Sequence, residues 1–172
     1  MENKVDYLAY GDPDGKIIIY FHGAPGSPEE CSTFENHAKK YRLNIICFDR
    51  FSIDSALQNN DYYKYIANAI IEIADGEKVD LIVFSISCHA AIETSLYLKN
   101  NVRDLHLISS TAPLDAANFL DGMAGEMVFS LAMKHSSLFI LLSYWQTVLA
   151  KMAPTALTAM LFASAKGEDK LL

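Results

Sequence analysis

The chain is poor in the residues that would mark many specialised functions. Of its 172 residues only three are cysteine, Cys31, Cys47 and Cys88. They show neither CxxC nor metal-ligand spacing, which argues against a disulfide framework and a zinc module and implies reduced thiols in a cytoplasmic protein. Basic residues are outnumbered, 14 against 21 acids for a formal charge of −7, and they form no cluster. Nucleic acid is therefore not an expected partner, because phosphate binding rests on grouped cations. No apolar run reaches the roughly twenty residues that cross a bilayer; the longest, Leu138 to Ala150, contains Gln146. The opening Met1-Glu2-Asn3-Lys4-Val5-Asp6 is too polar for a signal peptide. HExxH, the P-loop, a GxGxxG after a strand and paired carboxylates at glycosidase spacing are all missing, so no metal and no cofactor is implied.

What the chain does have is apolar substance: 51% of its residues are hydrophobic, enough to bury one good core, and the length suits a single domain. Val5 to Tyr10 has weak strand character. It precedes Gly11-Asp12-Pro13-Asp14-Gly15, a turn cluster that reads as a hairpin into a strand at Lys16 to Phe21. Ser27-Pro28-Glu29-Glu30 supplies a capping serine, a proline at the first helical position and acids in the first turn, predicting a helix from Pro28 to about Lys40. A strand at Asn44 to Asp49 and a helix at Asp61 to Ala74 follow, the helix from Tyr62, Tyr65, Ile66, Ala69, Ile70 and Ile73 at spacings of three and four. Next come a strand at Val79 to Ser85, a helix from about Cys88 to Lys99 and a strand at Val102 to Ser109. Strands alternating with helices of this length predict a mainly parallel sheet with helices on both faces. Beyond Pro113 the pattern becomes helical and apolar, with no strand evident.

Two stretches carry chemistry. Lys16 to Phe21 ends abruptly at His22-Gly23-Ala24-Pro25-Gly26-Ser27, a buried strand running into a loop whose glycines free backbone N–H groups. Asp80 to Ala91 repeats the plan, an apolar strand, then Ser85-Ile86-Ser87-Cys88 at a small-residue turn, then a helix. Together they resemble the α/β-hydrolase superfamily, in its esterase and peptidase subgroup with a His-Gly-x-Pro-Gly loop. The resemblance implies an α/β fold with residues 1–112 as the core and 113–172 as a helical, cap-like region of the same domain. In this fold the nucleophile sits in a G-x-S-x-G elbow. Ser87 fits as the nucleophile, with Ser85 and His89 in the two glycine positions. The oxyanion donors would be backbone amides at Gly23, Ala24 and Cys88. Asp49-Arg50 resembles the Asp-Arg that opens a Pro-Gly-x-Gly loop, although Phe51-Ser52-Ile53-Asp54-Ser55 follows; its plain reading is an ion pair at a strand end.

The triad order of this fold is Ser, acid, His. Asp115 stands where some members place the acid, but no histidine loop follows it. The expectation is thus a serine acyl hydrolase of C-terminally shortened form with an incomplete triad and a small-molecule acyl substrate. The alternative is a non-catalytic module that binds an apolar ligand or a protein partner through its helices. In the family fold two more strands follow the one equivalent to Val102–Ser109, so its outer edge is expected to be open. With the apolar stretch Met127 to Ala163 beside it, a homodimer is expected.

Overall fold

A computed structural model describes residues 5–24, 26–53, 57, 59–114, 118–123 and 125–161. The chain divides into two compact units, Met1–Pro113 and Leu114–Leu172. The first unit holds β1 (Tyr7–Gly11), β2 (Lys16–Phe21), α1 (Glu35–Lys40), β3 (Leu43–Phe48), α2 (Asn59–Ala74), β4 (Val79–Phe84), α3 (Cys88–Leu98) and β5 (Val102–Ile108). The segment Pro28–Phe34 winds as a tighter 3-10 helix before α1, with Ser27 at its N-cap making no side-chain cap bond. The second unit holds α4 (Glu126–Lys134), α5 (Ser136–Met152) and α6 (Pro154–Leu161).

The sheet order is β1-β3-β2-β4-β5, parallel except for β1, which runs antiparallel to β3. This corrects the expected hairpin, because β3 lies between β1 and β2. The turn Gly11 to Gly15 does not join neighbours but arches over the start of β3. Asp12 N donates to Leu43 O at 2.8 Å and Lys16 N to Arg42 O at 2.9 Å, while Asn44 Nδ2 donates to Pro13 O at 3.2 Å. Gly11 permits this crossing. Its φ is +101°, and a Cβ there would stand 2.3 Å from Leu43 O and 2.5 Å from Ala38 Cβ.

Alternation along the strands builds a core on each face. Ile19, Phe21, Ile46, Phe48, Leu81 and Val83 pack with Ile66 and Ile70 of α2 and Ala91 of α3. Ile18, Tyr20, Ile45 and Cys47 face the other way, onto Cys31 and Ala38. At the far side, β5 pairs with β4, and its side chains from Arg103 to Ile108 are exposed. The catalytic loops of a parallel sheet lie at the carboxyl ends of its strands, and here those ends are Phe21, Phe48, Phe84 and Ile108.

Candidate active site

β4 stops at Phe84, the last residue paired with β5. The chain then turns through Ser85–Ser87 in a single 3-10 turn and enters α3 at Cys88. The turn is sharp at one residue: Ser85 has φ +59°, in the left-handed region that costs an L-residue roughly 1–2 kcal/mol. A non-glycine residue held there between a strand and a helix is the strained turn by which a nucleophile elbow is recognised. Ser85 is half-buried, and its carbonyl accepts from Thr111 N at 3.4 Å.

Ser87 stands two residues further on and is different in every respect. It is fully buried, has ordinary helical backbone at φ −71°, ψ −6°, and its hydroxyl donates to the His22 carbonyl in a short contact. The strain therefore lies at Ser85 rather than at the serine favoured by spacing, and Ser87 fills the small position two residues after it. The backbone N–H of Cys88, expected to be an oxyanion donor, here donates to Ser85 O. Orphan N–H groups of a helix start belong to its first residues, which here are Ser85 to Ser87.

The loop after β2 is pressed against this turn. Gly23 is buried, and a Cβ on it would come within 3.0 Å of Phe84 Cδ1 and 3.5 Å of Ser85 Cβ. A side chain here would require the Phe84 ring to give by a few tenths of an ångström, while its distance to Ser85 would be ordinary contact. Ala24 is exposed beyond it, and Pro25 lies outside the described residues. His22 is wholly buried; its Nδ1 lies 2.9 Å from Gly23 O, and its Nε2 has no hydrogen-bond partner. Burial lowers its pKa below the ordinary histidine value of 6.5, so the ring is held neutral. Its carbonyl accepts from Arg50 Nη2 at 3.0 Å as well as from Ser87.

Asp49 and Arg50 do not pair with each other among the described ion pairs. The Asp49 carboxylate accepts from Phe51 N at 3.1 Å and Ser52 N at 3.2 Å, closing the turn after β3. Arg50 instead ties that turn to the end of β2 and lies over the Phe51 ring at 5.5 Å. A cleft of about 410 Å³ beside this turn is lined by Asp6, Tyr7, Ser27, Glu29, Asp49 and Phe51; neither Ser85 nor Ser87 lines it.

No described histidine ring bonds either serine. His89 is exposed on α3, edge-on to Tyr63 at 5.7 Å, and His106 is exposed on β5. Asp115, the expected acid, lies outside the described residues. Asp80, Asp104 and His106 bring three potential metal ligands within 4.8 Å of one another. Asp80 is already neutralised there by Lys16 and by Arg103, the latter at 3.4 Å, so a dication would meet two fixed positive charges.

No family model and no curated protein matches the sequence. Solved structures do. A lipase-esterase related protein from Clostridium acetobutylicum aligns at 21% identity and TM-score 0.55 over 74% of this chain and 54% of its own. A bromoperoxidase from Bacillus anthracis aligns at 15% and 0.56, over 77% and 52%. An alpha/beta hydrolase enzyme from the sediment metagenome of the Mar Chica lagoon aligns at 18% and 0.54, over 82% and 61%. The chain thus spans little more than half the length of these proteins. At such identities the likeness speaks for architecture alone, and the mostly parallel five-stranded sheet flanked by helices is an α/β-hydrolase fold.

Proposed function

We propose that this chain carries the nucleophile half of a serine acyl-hydrolase site, of the His-Gly-x-Pro-Gly esterase and peptidase type, with Ser85 rather than Ser87 as the nucleophile. The carrying observation is the positive φ of Ser85 directly after β4, with Gly23 packed against it. Ser85 Oγ would add to an ester or amide carbonyl of a small acyl substrate. The N–H groups of the Gly23–Ala24 loop and of Ile86, the residue after the nucleophile, would hold the oxyanion. Ser87 serves as an anchor, its hydroxyl joining the helix start to the end of β2. With no histidine bonded to Ser85 among the described residues, activation of the hydroxyl is weak and turnover slow.

Fluorophosphonate labelling followed by peptide mapping tests this reading. The adduct is expected on Ser85 and is lost in Ser85→Ala but retained in a folded Ser87→Ala. An adduct mapped to Ser87 overturns it.

The helical unit favours a second, compatible reading as a binding surface. Met127 is 85% exposed, Tyr144 70% and Met152 80%, and exposed apolar surface of this kind is where partners and ligands bind. It would take an apolar ligand or a second copy of the chain, making the protein a homodimer. The three free cysteines are all buried and fit a cytoplasmic setting.

A further inference from the structure

We propose that Cys31 and Cys47 form a buried dithiol that a peroxide closes to a reversible disulfide, clasping the segment Pro28–Phe34 to β3. The two stand sixteen positions apart, so sequence spacing does not reveal them. Two different periodicities bring them together. Pro28–Phe34 winds as a 3-10 helix, whose three-residue repeat puts Pro28, Cys31 and Phe34 on one face. Pro28 and Cys31 are buried there, and Phe34 meets the Tyr20 ring at 6.0 Å. Alternation along β3 turns Ile45 and Cys47 to that same side of the sheet, with Cys47 in register with Tyr20 of β2. Both cysteines are 0% exposed within this cluster. Their side chains meet: the pKa of Cys31 is pushed up first by its bond to the Cys47 thiol and then by burial. Neighbouring sulfurs are what a disulfide requires. Cys88 belongs to the core on the opposite face, so the sheet separates it from the pair.

Hydrogen peroxide is the oxidant that balances the step. One sulfur attacks a peroxide oxygen, the O–O bond breaks, and a sulfenic acid forms as water leaves; the second sulfur then displaces water from it to make the S–S bond. Two thiols give up two electrons and two protons, and the peroxide is reduced to two waters. The attacking form is the thiolate. Burial and the neighbouring thiol keep Cys31 protonated, and neither residue is exposed to solvent, so attack waits on local opening of Pro28–Phe34. The pair is a slow clasp, reduced at rest in a cytoplasm. Its position gives it a consequence. Pro28–Phe34 begins directly after the loop that starts at His22, and β3 runs into the turn from which Arg50 donates to the His22 carbonyl. Closing the bond fixes these two supports of the loop to each other, whichever serine is the nucleophile.

The test treats the reduced, full 172-residue chain with hydrogen peroxide under native conditions, with circular dichroism to confirm folding. Unfolding in iodoacetamide and peptide mapping then read the three cysteines. A single Cys31–Cys47 disulfide is expected, lighter by two hydrogens and reversed by dithiothreitol, with Cys88 alkylated as a free thiol. Phenylarsine oxide, which bridges two sulfurs that stand together, gives a second readout without any oxidant. One equivalent is expected to bind the reduced chain and to be retained in Cys88→Ala. Cys31→Ala and Cys47→Ala should each lose both the disulfide and the arsenical; because both are core positions, the mapping of the wild type carries the test if either fails to fold. A folded, peroxide-treated chain with Cys31 and Cys47 both alkylated overturns the proposal, as does a sulfinic acid at either with no disulfide. A disulfide that includes Cys88 overturns the pairing. Arsenical binding without disulfide formation overturns the redox step.

Discussion

Replacing Ser85 with glycine should stabilise the protein, an uncommon direction for a substitution at a candidate active site. Ser85 holds φ +59° with a Cβ attached. That conformation costs an L-residue about 1–2 kcal/mol and glycine almost nothing. Glycine returns part of the gain through its larger unfolded-state entropy, about 0.5–1 kcal/mol. The net is about 0.5–1 kcal/mol in favour of Ser85→Gly, or a rise of roughly 0.3 M in the urea midpoint for a typical slope of about 2 kcal/mol/M. Ser85→Ala keeps the Cβ and should show no such gain. Ser87→Ala should move the other way, losing about 1 kcal/mol with its buried hydrogen bond to His22 O. Unfolding is best followed by far-UV circular dichroism, since the single tryptophan, Trp145, lies in α5 outside the sheet. A midpoint that falls in Ser85→Gly by the roughly 1 kcal/mol of an ordinary helix glycine would refute the reasoning. A rise in Ser87→Gly instead would move the strained turn to Ser87.

Other expectations follow from the same geometry. Short p-nitrophenyl esters should be hydrolysed barely above background, and rapid turnover abolished by Ser85→Ala would show that a base reaches the elbow after all. Gly11→Ala should cost about 3 kcal/mol or more in chemical unfolding, because its Cβ would stand 2.3 Å from Leu43 O at φ +101°; a neutral result would mean that β1 is not held over β3 as described. Lys99→Gly should raise the melting point, since Lys99 ends α3 at φ +51°, ψ −117°, where glycine is favoured by about 1 kcal/mol or more. Stability should fall with acidification in two steps. Burial lowers the folded pKa of His22, so its contribution is intact above its ordinary 6.5 and is lost as pH falls through that value toward the lower folded one. Glu35, held low by Lys39 and the Gly11 N–H, loses its contribution only below its ordinary 4.5. A His22→Asn variant whose melting curve keeps the upper step would show that another group produces it.

The strands were legible because each is an apolar run bounded by turn residues, and the parallel run of β2, β3, β4 and β5 followed from their alternation with helices, although their order did not. The neighbour of β1 was not legible. Gly11-Asp12-Pro13-Asp14-Gly15 says that the chain turns, but not whether it turns back beside itself or over another strand. The deciding bonds are to the carbonyls of Arg42 and Leu43, about thirty residues away. The long-range cluster of Asp80, Asp104 and His106 escaped sequence reading for the same reason, since it depends on the β4–β5 register.

The strained turn after β4 was legible as a place, while the residue that carries the positive φ was not. Ser85 and Ser87 are the same residue type two positions apart, and the glycine pattern that would separate them is absent from both frames. One cue was available: the apolar run Leu81-Ile82-Val83-Phe84 ends at Ser85, and the left-handed residue sits where the strand stops. The structure then gives the two serines complementary roles. A left-handed residue at a strand end persists only if its surroundings over-determine it. Ser87 contributes to that by bonding the His22 carbonyl, to which Arg50 also donates from the turn after β3. One carbonyl at the end of β2 thereby joins the helix start, the Gly23 loop and the Asp49 turn. Removing either donor should loosen Gly23 against Ser85 before it unfolds the sheet, because β2 remains paired on both sides with β3 and β4.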